Sequence, residues 1–554
     1  MSVLNCIFNY FKKHSHVFIL TLFVIAAATA LSLAPPQLLK IIVDDLNSGV
    51  KERLLDYAIF YMLLFIAIGL INFLKEVLLV ILSQGVGKTI RIEMLNKIHK
   101  LSYITFSHLD TGNLEAYFSN DVEEINTLIT SGVISMAIDA FKMIGIVVSI
   151  FIFSPIFGGI TLLVIPIIVL FTMWIRKRMY KAQAANRALE GNVNNLVLEN
   201  LDNVVTIKSF RIYENVEEKY NEVLKNHFKT NQKANTYDAV FSPIMQILKM
   251  ILIVLIICLS SADISLFGMS VGMLVSSIDL ITNLFNPIES LGMELQTIQK
   301  SMAAIFRINE YFNLPEDEKK KHYDINLDSI KLEFKDVSFS YDGQNNVIEN
   351  FNLVLNGSDR LVLKGKSGSG KTTLFKLAYG LIKPTKGTVT INGIPTYLMS
   401  DELKRQVFGI VYQDYFFSGG SIKDEITLCN DISDDAVYKV LHQVGLDRIN
   451  DIHAPLVVTD YSTGELSLFN IARAIILDSK VLFLDEMNAK IDSLSAKRII
   501  EVIDEVSKNK LVMSINHYGD LLSGSKIINL EKQLNLTILF TKKYIHGLFC
   551  YFIL

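Results

Sequence analysis

Six long apolar runs in the first half of the chain restrict its fold more than any other feature. They lie at roughly Val17–Val43, Tyr57–Leu74, Val133–Phe153, Ile156–Ile175, Val240–Ser260 and Leu266–Leu284. Each is near or above the ~18 residues an α-helix needs to cross a bilayer. Backbone in lipid must satisfy its own polar groups, which makes helices of such runs. A hydrophobic content of 51% and a mean hydropathy of +0.36 exceed what an ordinary soluble enzyme carries. A length of 554 residues allows at least two domains. The net charge of −3 gives no electrostatic case for a nucleic-acid partner. Cys6, Cys258, Cys429 and Cys550 show no metal or disulfide spacing, which fits a reducing or membrane setting. The first run lacks a small-residue cleavage site, so it is expected to stay as an anchor.

The connections between runs alternate in size and charge. Those near Ser154 and at Ser260–Ser265 are tiny and carry no Lys or Arg. Gly85–Gly132 and Arg176–Asp238 are long and basic at their edges, with Arg176, Lys177, Arg178 and Lys181 in the second. Together with Lys12 and Lys13, this asymmetry places the N-terminus and both long connections in the cytosol. Trp174, the single tryptophan, sits at such a boundary as an interfacial anchor does. Both long connections contain few turn residues and read as helices continuing into the cytosol. The segment "LDTGNLEAYFSNDVEEI" (Leu109–Ile125) is expected to interrupt the first with a turn and a short amphipathic stretch, and "LENLDNVVTIKSF" (Leu198–Phe210) to do the same in the second.

From about Leu332 the pattern changes to short strands with Gly-rich turns. After the strand-like "RLVLKG" comes Gly365-Lys366-Ser367-Gly368-Ser369-Gly370-Lys371-Thr372-Thr373, and then the helical "LFKLAYGL". This is G-x-x-x-x-G-K-[ST] in the strand–loop–helix context the motif requires. Its glycines let backbone N–H groups wrap closely around phosphate oxygens. Lys371 is placed to neutralise the β- and γ-phosphates, and the Thr372 hydroxyl to ligate Mg²⁺. The helix N-terminus adds its positive dipole end. Downstream, "VLFLDE" (Val481–Glu486) is an apolar strand ending in two acids. Asp485 is expected to hold Mg²⁺ through water, and Glu486 to orient and polarise the attacking water.

Six helices with long cytosolic connections, followed by this ATPase module, resemble an ABC transporter of the exporter type, a half-transporter with a fused nucleotide-binding domain. The resemblance runs from about Val17 to Glu531. It implies an α-helical six-span transmembrane domain plus an α/β P-loop NTPase domain, with ATP and Mg²⁺ as cofactors. The domains are expected at residues 1–315 and 330–533, with an atypical apolar tail at 534–554. Further residues match the family in order. Tyr341 in "FSYDG" corresponds to the aromatic residue that stacks on adenine, and Gln413 in "VYQDYFF" to the glutamine that senses Mg²⁺ and the membrane domain. Asp492 in "AKID" corresponds to the aspartate of the dimer-facing loop, and His517 in "MSINHYGD" to the histidine contacting γ-phosphate.

The chain departs from the family at its signature. "YSTGE" (Tyr461–Glu465) stands where the family has Leu-Ser-Gly-Gly-Gln, the element that caps ATP bound to the opposite subunit. Ser462 and Gly464 survive, while Thr463 and Glu465 replace a glycine and the glutamine. Ser462 and Glu465 also have capping-box spacing, so this stretch reads as a good helix start made from a weakened phosphate sensor. Met487–Asn488 replaces the usual Pro-Thr, Lys490 lies in the dimer loop, and "HAPLVVTDY" lacks the usual acidic-glycine pattern. The tail, "LNLTILFTKKYIHGLFCYFIL", differs from the family's strand, turn and helices, as a truncation or a shifted reading frame would, and no function is assigned to it.

These features lead us to expect an ATP-driven exporter of an unidentified peptide, lipid or drug-like substrate. It is expected to be an integral membrane protein, placed in the cell membrane, with its N-terminus and ATP-binding domain cytosolic. The expected partners are membrane lipid and a second half-transporter, as a heterodimer in preference to a homodimer. The alternative is an ATP-gated regulator or sensor on the same scaffold. Asp139, Lys142, Lys249 and Asp279 lie within membrane runs, where charges face a cavity or pair with each other, Asp139 with Lys142 or Lys249 with Asp279.

Overall fold

A computed structural model describes residues 2–49, 52–262, 270–412, 416–485, 493–515 and 524–530. The chain divides into two units. One comprises Met1–Lys100 and Leu109–Leu314, the other Leu101–His108 and Pro315–Leu554. The short segment Leu101–His108, which includes the helix Tyr103–Ser107, thus groups with the second unit although it lies inside the helical half of the sequence.

The first unit contains six helical spans long and apolar enough to cross a membrane: Ser15–Asn47, Leu54–Ile98, Gly112–Phe153, Pro155–Asp202, Tyr213–Cys258 and Val271–Phe312. These correspond one to one with the six apolar runs, and most extend far past the bilayer core. The first run is not one helix. Its two parts, Ser15–Ser32 and Ala34–Asn47, meet at Leu33, where Pro35 and Pro36 withhold N–H donors and are tolerated only in a first turn. Pro166, Pro243 and Pro287 sit inside later spans. The sixth run, expected from Leu266, is described from Val271, and its start lies outside the described residues. At the N-terminus of that helix the Asp44 carboxylate accepts from Ser270 Oγ at 2.7 Å and from the Gly272 N–H at 2.8 Å, joining the first and sixth spans.

The long connections are helical, as expected. The first is broken at Leu109–Asp110. It restarts at Thr111, capped by the Asp110 carboxylate, and passes through two π-helical turns, Tyr117–Asp121 and Leu128–Gly132. Asp121, buried there, takes a two-pronged ion pair from Arg307 of the sixth span. The second breaks at Asn203, forms Val204–Phe210 and is closed by Arg211 in the left-handed conformation.

Of the two readings of the intramembrane charges, facing a cavity or pairing with each other, the pairing is not found. Among the described residues no ion pair joins Asp139 to Lys142 or Lys249 to Asp279. Asp139 instead accepts from Ser290 Oγ at 2.5 Å, so a neutral hydroxyl from the sixth span satisfies it.

Among the described residues the second unit holds nine strands: β1 (Lys331–Ser340), β2 (Asn346–Asn356), β3 (Arg360–Lys364), β4 (Lys386–Ile391), β5 (Ile394–Pro395), β6 (Phe408–Val411), β7 (Val481–Asp485), β8 (Leu511–Ile515) and β9 (Lys526–Asn529). An antiparallel sheet has the order β2-β1-β4-β5, and a parallel sheet the order β6-β7-β8-β3-β9. The cores of β3 and β7 are unbroken apolar runs buried on both faces, and β8 is the same but for the buried Ser514, as strands covered on both sides require. Two apolar clusters fill the unit. One lies between the sheets and includes Phe334, Phe339, Leu363, Phe375 and Phe483. The other includes Ile426, Leu441, Leu466, Phe469 and Leu484.

Candidate nucleotide site

Registers across the parallel sheet bring three strand ends together. Leu363 of β3 lies opposite Ile515 of β8, and Ile515 opposite Asp485 of β7. Ligands of open parallel sheets sit beyond such carboxyl ends. The loop Gly365–Gly370 leaves β3 there and opens the helix Lys371–Ala378.

Two glycines are sterically obligatory. Gly370 has φ +93°, and a Cβ on it would lie 2.6 Å from Ile348 Cδ1. A Cβ on Gly365 would lie 2.5 Å from the Leu530 carbonyl oxygen. The loop therefore lies flat on its support, with Lys366, Ser367 and Gly368 on its open side and Ser369, Gly370 and Lys371 buried. Lys371 Nζ donates to the Gly365 carbonyl at 2.8 Å and the Lys366 carbonyl at 3.1 Å, which holds its charge within the loop. Ser369 Oγ is buried and has no hydrogen-bond partner. A polar atom orphaned under a glycine-rich loop at a helix N-terminus fits a loop shaped for phosphate.

Thr372 and Asp485 line one cavity of about 320 Å³, together with Tyr103, Lys376, Tyr379 and Tyr412. A hydroxyl in the first turn of the helix after a phosphate loop, facing a single carboxylate, suits Mg²⁺, which usually keeps waters and takes one or two protein oxygens besides phosphate. Among the described residues no cluster of three His, Cys, Asp or Glu offers a competing metal cage. Tyr341 meets the loop's far end, its hydroxyl 3.3 Å from Thr373 Oγ1 and its ring edge-on to Phe339 at 4.8 Å. The turn after it is tied by Asp342, which accepts from Ser340 Oγ, the Gln344 and Asn345 N–H groups and Asn345 Nδ2, each at 2.8 Å. These bonds, the Asn345 N–H first, hold the Asp342 carboxyl well below its ordinary range.

Ser462 and Gly464 lie elsewhere. The helix Thr463–Ile476 packs in the second apolar cluster, whereas the helix of the phosphate loop packs in the first. Its capping box is formed in full. Ser462 Oγ accepts from the Glu465 N–H at 3.3 Å, and Glu465 Oε2 accepts from the Ser462 N–H at 2.9 Å. Arg448, which no sequence motif marks, pairs through Nε with Glu465 Oε1 at 2.7 Å and covers the Tyr461 ring at 5.0 Å. Burial pushes the Glu465 carboxyl up, but the Ser462 bonds and the Arg448 guanidinium outweigh it and hold the group below its ordinary range.

A second contact without a sequence signal is a buried ion pair. Arg473 of the same helix pairs through Nη2 with Glu425 Oε2 at 2.7 Å and donates to the Phe416 carbonyl at 2.8 Å. Glu425 Oε1 accepts from the Ser418 and Gly420 N–H groups. Residues 416–420 are thereby clamped to the helix that begins at Ser462. Neither residue belongs to a motif, and a separation of 48 positions gave no periodic signal. Gln413, Glu486, Asp492 and His517 lie outside the described residues, as do Met487, Asn488, Lys490 and the tail 534–554.

The geometry agrees with comparison to known proteins. The family profile of the ABC transporter transmembrane region matches residues 18–288, and the profile described as ABC transporter matches residues 348–489. An uncharacterized ABC transporter ATP-binding protein, YknV of Bacillus subtilis, is 25% identical over 94% of this chain and 89% of its own. A multidrug resistance ABC transporter ATP-binding and permease protein of Lactococcus lactis is 22% identical over 91% of this chain and 87% of its own. The lactococcin-A transport/processing ATP-binding protein LcnC of the same species is 25% identical, covering 82% and 65%. With six membrane-length helices and the phosphate-loop ATPase domain in one chain, the protein is an integral membrane protein of the ABC transporter family, an exporter-type chain with fused transmembrane and ATP-hydrolysing domains.

Proposed function

We propose that the chain drives efflux of a drug-like, peptide or lipid substrate from the cytosolic side of the cell membrane, with its N-terminus and ATPase domain in the cytosol. The observation that carries this reading is the meeting of Thr372, in the first turn of the helix that the phosphate loop opens, with Asp485 at the end of β7, on one cavity. MgATP, when bound, supplies the phosphoryl group whose transfer to water resets the transporter. The N–H groups of Gly365–Thr373 and Lys371 hold the phosphates, and the Tyr341 ring supports adenine. Thr372, Gln413 and Asp485 hold the cation, Glu486 polarises water, and His517 contacts the γ-phosphate. The relatives' names favour drugs or peptides as cargo. The regulator alternative gains no separate support.

The signature supports a partner. Ser462 and Gly464 sit on a different core from the phosphate loop, so they suit ATP held by another subunit. Thr463 and the occupied capping box weaken them for that task. A heterodimer would join this chain's Lys371, Glu486 and His517 to a sound signature from a second half-transporter. A homodimer with full, transport-coupled ATPase would refute the pairing. The primary test is Glu486→Gln in proteoliposomes supplied with drugs, peptides and lipids. ATP binding should persist while turnover falls roughly 10²-fold or more, the scale of a lost general base. Turnover at the wild-type rate would sink the assignment.

A further inference from the structure

A cavity of about 570 Å³ opens between the fourth span (Pro155–Asp202) and the sixth (Val271–Phe312). Its walls differ by depth. Val169 and Met173 line the deeper part, and Leu291 and Leu295 of the sixth span line the other together with Lys177 and Lys181, which are one helical turn apart and both exposed. None of its lining residues is acidic. Arg176 contributes its stem, while its guanidinium turns inward over the Phe241 ring at 4.1 Å and donates to the Glu289 carbonyl at 3.1 Å. Gly292 permits that crossing, since a Cβ there would lie 2.6 Å from Arg176 Cγ and Cδ. The two lysines are thus the cavity's outward-facing charges.

Depth identifies the occupant. Counted from Ser154 at ~1.5 Å per residue, Val169 and Met173 fall about 22 and 28 Å along the helix. Lys177 and Lys181 fall at about 35 and 40 Å. A hydrocarbon core of ~30 Å therefore ends between the apolar wall and the lysines. Trp174 lines the cavity at that level, with the Arg178 guanidinium 4.2 Å over its ring. An apolar slot within the acyl region, closed by two cations at headgroup depth, matches one class of molecule. We infer that this cavity holds an anionic phospholipid of the cytosolic leaflet, with its acyl chain along Val169 and Met173 and its phosphate on Lys177 and Lys181. The inference rests on the proposed cytosolic placement of the ATPase domain and is independent of the transported substrate.

Trp174 is the only tryptophan in the chain, so its fluorescence reports on this cavity alone. The full-length protein would be reconstituted in phosphatidylcholine vesicles containing a rising mole fraction of either brominated phosphatidylglycerol or brominated phosphatidylcholine. The brominated anionic lipid should quench Trp174 at a mole fraction roughly tenfold lower, as two lysines near an anionic lipid warrant. Lys177→Ala/Lys181→Ala should abolish that preference, whereas Lys12→Ala/Lys13→Ala, which removes equal charge elsewhere, should keep it. Glycerol phosphate should not relieve the quenching; relief would show a free-phosphate site instead. Equal quenching by the two lipids in the wild type would overturn the inference without recourse to any variant. Loss of the preference in Lys12→Ala/Lys13→Ala as well would reduce it to general surface charge and overturn it equally.

Discussion

Replacing Glu425 by Ala should destabilise the ATPase domain well beyond what the loss of an exposed ion pair does. Its side chain is only 4% exposed and that of Arg473 14%, so the pair is shielded from water. Burial pulls the Arg473 guanidinium below its ordinary range more than its partner restores it. Burial also pushes the Glu425 carboxyl up, but Ser418, Gly420 and Arg473 outweigh it and hold the group low. The carboxylate thus supports a guanidinium that needs it. Removing one partner of a buried pair typically costs about 3–5 kcal/mol, and Arg473 would retain its carbonyl and Asn470 contacts and the Phe417 ring but no carboxylate. For a unit of this size that is a fall in melting temperature on the order of 10 °C. Calorimetry of the full chain in nanodiscs would read it in the transition that MgATP raises. Glu425→Leu/Arg473→Met should recover at least half of the loss, since an apolar pair carries no unmatched charge. A shift under about 2 °C in folded Glu425→Ala, well below that scale, or a strictly additive double variant, would refute the reasoning.

Other outcomes follow from the same contacts. Glu465→Gln keeps an acceptor for the Ser462 N–H but releases Arg448, so helix stability should change by under about 1 kcal/mol. If the signature acts across a heterodimer, the same variant should raise ATPase at the site it caps; unchanged ATPase in a fully active homodimer would count against that arrangement. Asp342→Ala removes the acceptor that ties the turn after Tyr341, and should weaken binding of a fluorescent ATP analogue severalfold with little effect on Lys371-dependent discrimination against AMP. The stability of this unit should also fall with acid. Asp342, Glu425 and Glu465 all have lowered folded values, so their contribution is complete above the unfolded carboxyl values near 4 and is lost as pH drops through the lower folded ones. A denaturation midpoint that stays flat from pH 5 to pH 3 would contradict those assignments.

What could be read from the sequence followed the range of the interactions. Membrane spans were legible because each is one long, predominantly apolar stretch, and the phosphate loop because its chemistry is compressed into nine consecutive residues. Local capping was legible for the same reason: Ser462 and Glu465 are three apart, and the box forms as their spacing implied. The break at Leu33 was missed because an apolar run conceals two prolines that change backbone but not hydropathy. The partners of the intramembrane charges stayed open in the sequence because depth along a helix does not say which face a side chain occupies, and Ser290 rather than Lys142 meets Asp139.

The contacts that no motif revealed carry the more specific message. Arg448 pairs with the Glu465 carboxylate, so if Glu465 stands in the place of the family's glutamine it does not put a bare negative charge where phosphate is expected. Arg473 binds the segment after Gln413 to the helix that starts at Ser462. If Gln413 senses the cation and Ser462 a nucleotide across the dimer, a movement of either must strain a buried ion pair shared by both. That coupling is rigid rather than compliant, because packed, desolvated charges tolerate little displacement. A weakened signature held on a stiff connection would still transmit the state of the competent site to its own helix, even where it contributes little to hydrolysis itself.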